Sequence, residues 1–224
     1  MTGPLVITID GPAGVGKSTV ARMLAAELGA VFLDTGATYR AVTVAAIDAG
    51  ADLKDPQDVL GVMDKTDFQF RHHGDVLRVT VNGQDATQKI RRPDVTEQVR
   101  HIASAPLLRE RLVTLQQDFA AQFDKVVTEG RDQGTVVFPD AQFKFFLTAD
   151  PKERTRRRHE ELKAAGREMD FDRLHEQITR RDDSDLNREV GPLKPAEGAI
   201  HIDTTDIDAA GVVNRMLEVI KRHG

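Results

Sequence analysis

The chain contains no cysteine and no tryptophan, and only one tyrosine among its 224 residues. Without cysteine there are no disulfides and no thiolate metal sites, an absence that fits the cytosol. With so few flat aromatic rings, a stacking platform for single-stranded nucleic acid is not expected. Excess positive charge is lacking too. The 31 basic and 36 acidic side chains leave a formal net charge of −5, which argues against a nucleic-acid protein working by bulk charge. No apolar run approaches the ~20 residues of a membrane span. No charged segment followed by a long apolar run precedes the first strand-like stretch, so no signal peptide is expected. Internal repeats and low-complexity linkers are not found. The remaining composition, 40% hydrophobic and 30% charged, is globular. Its length allows one domain with insertions or two small ones.

The strongest positive signal is Gly11-Pro12-Ala13-Gly14-Val15-Gly16-Lys17-Ser18, which fits the phosphate-loop pattern G-x-x-x-x-G-K-[ST] at every fixed position. Leu5–Ile9 precedes it as a short buried strand, and Val20, Leu24 and Leu28 follow at helical spacing. Strand, loop and helix suit the chemistry. Glycines let backbone N–H groups turn inward around a polyphosphate. The helix start adds partial positive charge at the same point. Lys17 would reach the β- and γ-phosphates, and the Ser18 hydroxyl would ligate Mg²⁺. The bland alternative is a glycine-rich turn before an ordinary helix.

Apolar runs suited to buried parallel strands recur at Leu5–Ile9, Val31–Leu33, Val126–Val127, Phe143–Leu147 and Ala199–Ile202, mostly separated by helical patterns. Alternating strands and helices predict a parallel α/β sheet, with ligands beyond the carboxyl ends of the strands. Asp10, Asp34, Glu129-Gly130-Arg131-Asp132 and Asp203 follow four of these runs. One stretch breaks the rhythm. Phe68-Gln69-Phe70 alternates, Arg71 to Asp75 reads as a turn, Val76–Val81 alternates again, and Asn82-Gly83 is a tight-turn dipeptide. This predicts a small antiparallel insertion between the second and third core strands.

A phosphate loop names a ligand, not a reaction. A GTPase should carry Asn/Thr-Lys-x-Asp, whereas the nearest match, Asp64-Lys65-Thr66-Asp67, has the wrong first residue. A motor ATPase should carry a longer apolar strand ending in Asp with Glu beside it, and nothing fits that well. The chain has instead a scatter of arginines: Arg40, Arg109, Arg131, Arg157, Arg181 and Arg188. Two polyanionic substrates placed end to end would need such a set, because phosphoryl transfer asks the protein mainly for positioning and charge neutralisation. Residues 152–158 read Lys-Glu-Arg-Thr-Arg-Arg-Arg, a run of +4. It is either a solvated helix face or an arginine-bearing flap over a polyphosphate.

Several separate segments then resemble bacterial cytidylate kinases, the CMP/dCMP kinases among the P-loop nucleoside monophosphate kinases. Asp34-Thr35-Gly36-Ala37-Thr38-Tyr39-Arg40 is similar to their D-[ST]-G-A-x-Y-R segment, and Gly130-Arg131-Asp132-Gln133-Gly134-Thr135 to G-R-D-x-G-T. Arg181-Asp182-Asp183-Ser184-Asp185-Leu186-Asn187-Arg188 resembles R-D-x-x-D-x-x-R. Residues 81–91 look like their nucleotide-binding insertion. The resemblance runs from Leu5 to the C-terminal helix.

It implies a single domain over residues 1–224. The fold would be that of a P-loop kinase: a five-stranded parallel sheet flanked by helices, a monophosphate-binding insertion at about 64–96 and a helical lid at about 151–168. It implies transfer of the γ-phosphate of ATP, with Mg²⁺, to CMP or dCMP in pyrimidine nucleotide metabolism. Gly11, Pro12, Ala13, Gly14, Val15, Gly16, Lys17, Ser18 and Thr19 would hold ATP, with Ser18 on the metal. Arg40, Arg131 and Arg188 would hold the monophosphate. Asp185 and Arg181 would meet the ribose, with Thr35 close by. Arg109 and Asp132 would read cytosine, and Arg157 would ride on the lid. Lys17, Arg131, Arg157 and Arg188 would serve catalysis directly. The partners are then small molecules only, with neither nucleic acid nor membrane, in a cytoplasmic protein. Completion of the site by one chain favours a monomer.

Alternatives stay open at this point. Asp34 or Thr35 could be only a helix N-cap. Arg109 could be a surface residue of the helix after Pro106. Asp132 could be a structural partner of Arg131. Asp182, Asp183 and Asp185 could form a solvated cluster, of which only Asp185 matches a ligand position. His72-His73 reads as turn surface, and Tyr39 as half-buried. A kinase of another monophosphate such as UMP, or of a small metabolite, is the nearest enzyme alternative. A nucleotide-operated switch is the alternative from another class. The chain departs from the family pattern at Arg100, where Ser is usual, and at Gln133, where an apolar residue is usual.

Overall fold

The computed structural model describes residues 4–73 and 76–223. The chain forms two compact units, Met1–Leu33 with Asp124–Gly224, and Asp34–Phe123. In chain order the elements are β1 (Leu5–Asp10), α1 (Lys17–Leu28), β2 (Val31–Asp34), α2 (Thr35–Asp48), α3 (Pro56–Met63), β3 (Phe68–His73), β4 (Val76–Val81) and β5 (Gln84–Asp85). A short 3₁₀ turn (Lys89–Arg91), α4 (Pro93–Ser104), α5 (Pro106–Ala120) and β6 (Lys125–Gly130) follow. A π-helical turn (Gln133–Val137) leads to β7 (Phe143–Thr148), α6 (Pro151–Ala164), α7 (Phe171–Leu186), β8 (Ile200–Asp203) and α8 (Ala209–His223). Among the described residues no helix is long and apolar enough to cross a membrane.

The first unit is built on a five-stranded sheet in the order β2-β6-β1-β7-β8. All five strands predicted from apolar runs form. β1 lies parallel to β6 on one side and to β7 on the other, and β8 runs parallel to β7. A central strand covered on both faces needs apolar side chains on both, which is why Ile7 and Ile9 are buried and Thr8 is buried between them. Val20 and Leu24 of α1, Leu147 of β7 and Met216 of α8 complete this core. Parallel pairing brings the carboxyl ends of β1 and β6 level, with Asp10 opposite Gly130. α6 and α7 start on aspartate caps, Asp150 accepting from the Lys152 and Glu153 amides and Asp170 from the Arg173 amide.

The second unit packs Val42, Ala46, Val59, Met63, Ile102, Leu108 and Leu112 of its helices into a core of its own. The predicted insertion is present as the antiparallel sheet β3-β4-β5. Asn82 and Gly83 both take positive φ, 50° and 76°, as a tight two-residue hairpin requires. The reading of Arg71 to Asp75 as a turn is corrected at its first three residues. Arg71, His72 and His73 belong to β3, paired with Arg78, Leu77 and Val76. Continued cross-strand pairing gives their backbone groups partners that an open turn would not. The Gly74 and Asp75 part of that reading lies outside the described residues.

Candidate active site

Gly11 cannot be replaced without moving the loop, since a Cβ there would overlap the carbonyl oxygen of Leu147. Gly16 caps α1 at φ 90° with no side-chain cap bond. The first amides of α1 are thereby left to an anion, as the motif predicts. Lys17 is buried, and its Nζ donates to the Pro12 carbonyl at 2.8 Å. Burial, then repulsion from Arg131 and Arg181, pushes its pKa down to about 7, while Glu129 and Asp10 act the other way. A lysine so crowded by cations is poised for a polyanion that would restore its charge. The Ser18 hydroxyl donates to Glu129 Oε1 at 2.8 Å. Val15 is buried and serves the core, whereas Gly14, Gly16 and Thr19 face solvent.

The loop is also held from behind. Arg154 Nη1 donates to the Ala13 carbonyl at 2.9 Å and to Asp182 Oδ2 at 2.5 Å. Asp182 Oδ1 accepts the Ala13 amide at 3.3 Å. A buried ion pair between α6 and α7 thus grips one loop residue by both its amide and its carbonyl. Asp182 is therefore not part of a solvated cluster. Its neighbour Asp183 is exposed.

Beside the loop, in the same unit, the structure brings together three of the expected acceptor residues. Arg131 Nε lies 2.6 Å from Asp185 Oδ2, and Arg188 Nη2 lies 2.8 Å from Asp185 Oδ1. Burial works to raise the Asp185 pKa, but Arg131, Arg188 and Arg181 outweigh it and hold the carboxyl below its ordinary value. Arg181 reaches solvent, yet crowding around its charged group and then repulsion from Arg131 push its pKa down. Asp185 thus faces three guanidinium groups, while Asp182 and Glu129 also act on Arg181 from the carboxylate side. Asp132 is buried at the end of the same segment, with φ −143° and ψ 24°.

In the second unit, Asp34 is the N-cap of α2, accepting the Ala37 amide at 2.9 Å. It also takes Arg40 Nη2 at 3.3 Å on each oxygen. The capping alternative therefore describes Asp34, while Thr35 is the buried first residue of the helix. Arg109 is 2% exposed, which removes the surface alternative. Its guanidinium lies 5.8 Å from the Tyr39 ring centroid, and its Nη1 donates to the Ala103 carbonyl at 3.4 Å.

This chemistry can be set beside known proteins. The family model for cytidylate kinase matches residues 7–222. The chain belongs to the cytidylate kinase family. A cytidylate kinase of Carboxydothermus hydrogenoformans is 44% identical over 216 residues, covering 96% of this chain and 97% of that one. A cytidylate kinase of Caldanaerobacter subterraneus is 46% identical over 217 residues, covering 97% and 95%. Among solved structures, an uncharacterized protein from Eubacterium ventriosum superposes with a TM-score of 0.51 over 97% of this chain and 98% of its own, at 13% identity. That likeness speaks for the fold alone. The reaction of the cytidylate kinase family is ATP-dependent phosphorylation of CMP and dCMP, and it is the activity of this chain.

Within this family frame, the basic run on α6 divides. Arg156 and Arg158 are exposed and pair with Glu153, Glu160 and Glu161 of their own helix, as a solvated face would. Arg157 is bound to Glu153 Oε1 at 2.8 Å and to the carbonyls of Thr204 and Thr205 at 2.5 and 3.0 Å. Arg100, at the position where the family usually has Ser, is exposed, and Gln133 is buried with its Oε1 accepting from Thr128 Oγ1 at 2.9 Å. Sequence reasoning gave no role to three residues that the fold brings to the site: Asp10, Glu129 and Asp182. Glu129 was visible as a carboxylate ending a strand. Only the sheet order places it beside β1, and so near Ser18.

Proposed function

We propose that this cytidylate kinase performs its transfer with Lys17 and the Gly11–Thr19 backbone on ATP, and with arginines on the acceptor phosphate. The observation that carries this reading is the pairing of Arg131 and Arg188 on Asp185 beside buried Lys17, whose pKa burial and repulsion from Arg131 and Arg181 push down. Bound phosphate would relieve the repulsion on Lys17, and phosphoryl transfer needs stabilisation of charge above all. Arg131 and Arg188 act as monophosphate ligands and Asp185 with Arg181 as ribose ligands, all from the first unit. Arg40 as a phosphate ligand, Thr35 near the ribose and Arg109 as a base ligand are supported within the second unit by burial and by the family motifs. Asp132 accepts from the cytosine amino group, where the carbonyl of uracil would meet a carboxylate badly.

Mg²⁺ fits the oxygens available. Among the described residues no group of three His, Asp or Glu side chains could hold a metal by itself. Mg²⁺ bound with a nucleotide commonly needs only one or two protein oxygens beside phosphates and water. Ser18 and Glu129 supply a hydroxyl and a carboxylate in contact with each other. When bound, the ion would neutralise charge on the β- and γ-phosphates. Lys17 holds and orients the same phosphates. Arg157 and the lid, about residues 151–168, exclude water when they close, which limits ATP hydrolysis. The insertion over about 64–96 belongs to monophosphate binding. Completion of both substrate sites and the lid within one chain supports a monomer, and the absence of cysteine supports a cytoplasmic enzyme.

The test is ADP release with ATP·Mg²⁺ against CMP, dCMP, UMP, AMP, GMP and shikimate. CMP and dCMP should stimulate release strongly and the others weakly. No stimulation by either cytidine nucleotide would overturn the reading.

A further inference from the structure

Asp10 closes β1 and is 2% exposed. Its Oδ1 accepts the Gln133 amide at 2.9 Å and its Oδ2 the Gly134 amide at 2.8 Å. These two amides open the π-helical turn that follows directly on Arg131 and Asp132. At a helical start such amides have no partner within the turn. A carboxylate can accept both at once. An asparagine would offer one oxygen and turn an N–H₂ donor against the other amide.

The surroundings are built to the same end. A Cβ on Gly134 would lie 2.9 Å from Thr8 Oγ1 and 3.5 Å from Asp10 Oδ2, so the turn sits as close to β1 as a glycine allows. The Gln133 side chain reaches back to Thr128 in β6, and a Cβ on Gly130 would lie 2.8 Å from its Cγ. Residues 130–134 are therefore braced on the backbone by Asp10 and on the side by Gln133. Asp132 has neither helical nor extended dihedrals, so its direction depends on these braces. Burial, opposed by the two amide bonds, also pushes the Asp10 carboxyl up to about 6. Burying a carboxylate is costly, and such cost is retained mostly where function needs the group.

We propose that Asp10 is a positioning residue for the acceptor nucleotide, touching no substrate but fixing the turn that presents Arg131 and Asp132. By sequence it borders the ATP loop and its charge bears weakly on Lys17, yet both its hydrogen bonds go to the turn of the other substrate. The inference rests on the reading of Arg131 and Asp132 as acceptor ligands.

The test uses the full-length enzyme with Asp10→Asn, amide hydrogen exchange at residues 133 and 134, and KM for CMP and for ATP measured separately. Exchange should accelerate, KM for CMP should rise roughly tenfold or more, as for loss of one charged hydrogen bond, and KM for ATP should stay within about threefold. Discrimination between CMP and UMP should narrow. If Asp10→Asn does not fold, Gly134→Ala displaces the same turn and should give the same CMP-selective loss. Unchanged exchange, or CMP and ATP constants moving together, overturns the inference while wild-type CMP kinase activity stands. A wild type inactive towards CMP overturns the acceptor reading and this inference with it, whatever the exchange shows.

Discussion

The grip on the phosphate loop gives a sharp prediction. Asp182→Ala would leave the Arg154 guanidinium buried against two carbonyls, those of Ala13 and Ala149, with no opposite charge. The pair's side chains are 6% and 13% exposed. Breaking a buried pair from one side costs about 3–5 kcal/mol. The residual exposure of Asp182 lets water reach the gap, so the lower end, about 3 kcal/mol, is expected. The Ala13 amide also loses its acceptor, adding about 1 kcal/mol. For a chain of this size that is a fall in Tm of about 8–16 °C. Urea unfolding should show the loss in the midpoint with an unchanged slope. The double variant Arg154→Met, Asp182→Leu removes both charges and should recover most of the loss, because a buried pair is worth little against apolar side chains of like volume. A coupling of about 2 kcal/mol or more between the two sites is therefore expected. Because the pair holds Ala13, ATP affinity should fall in Asp182→Ala and at least as far in the double variant, which removes both contacts to that residue. A cost under about 1 kcal/mol, or strictly additive single effects, would refute the grip.

Three further outcomes are expected. Asp10, raised from its ordinary 3.8 to about 6, stabilises the fold below pH 4 and loses that contribution as pH rises through 6. The wild-type minus Asp10→Asn difference in unfolding free energy should fall by about 2–3 kcal/mol between pH 4 and 6.5; a flat difference would contradict the burial argument. Lys17 has the opposite sign, its pKa being lowered to about 7, so its contribution is present above pH 10.5 and lost as pH falls through 7. Lys17→Ala should accordingly leave the fold intact at neutral pH by circular dichroism while cutting kcat by roughly 10²–10³; near-normal turnover would remove it from the mechanism. Asp132→Asn should weaken CMP selectivity over UMP more than ATP affinity, read from the two KM values, and equal losses would make Asp132 a structural residue only.

Much of this was written locally. The phosphate loop, the strand before it and the helix after it follow from glycine placement and apolar spacing, because backbone conformation there depends on adjacent residues. The Asn82-Gly83 hairpin was legible for the same reason, since few residue pairs accept two positive φ values in a row. The turn at residues 71–73 was misjudged because polar residues at a hairpin end look the same whether or not a partner strand continues to pair with them. Arg109 could be read as surface or as site until the helices of its unit packed around it.

The sequence alone determined the donor chemistry and the order of strands and helices, since both are carried by short contiguous patterns. The acceptor came into view only through the resemblance of several separate motifs to those of cytidylate kinases. What only the tertiary structure decided are the contacts between polar groups far apart in the chain. Ser18 meets Glu129 111 residues away, Asp10 meets the Gln133 amide 123 residues away, and Asp182 meets Ala13 169 residues away. A carboxylate has no periodicity that reveals its partner. Its role is fixed by which strand ends the sheet order brings side by side, and by the burial that makes each unpaired charge too costly to leave alone.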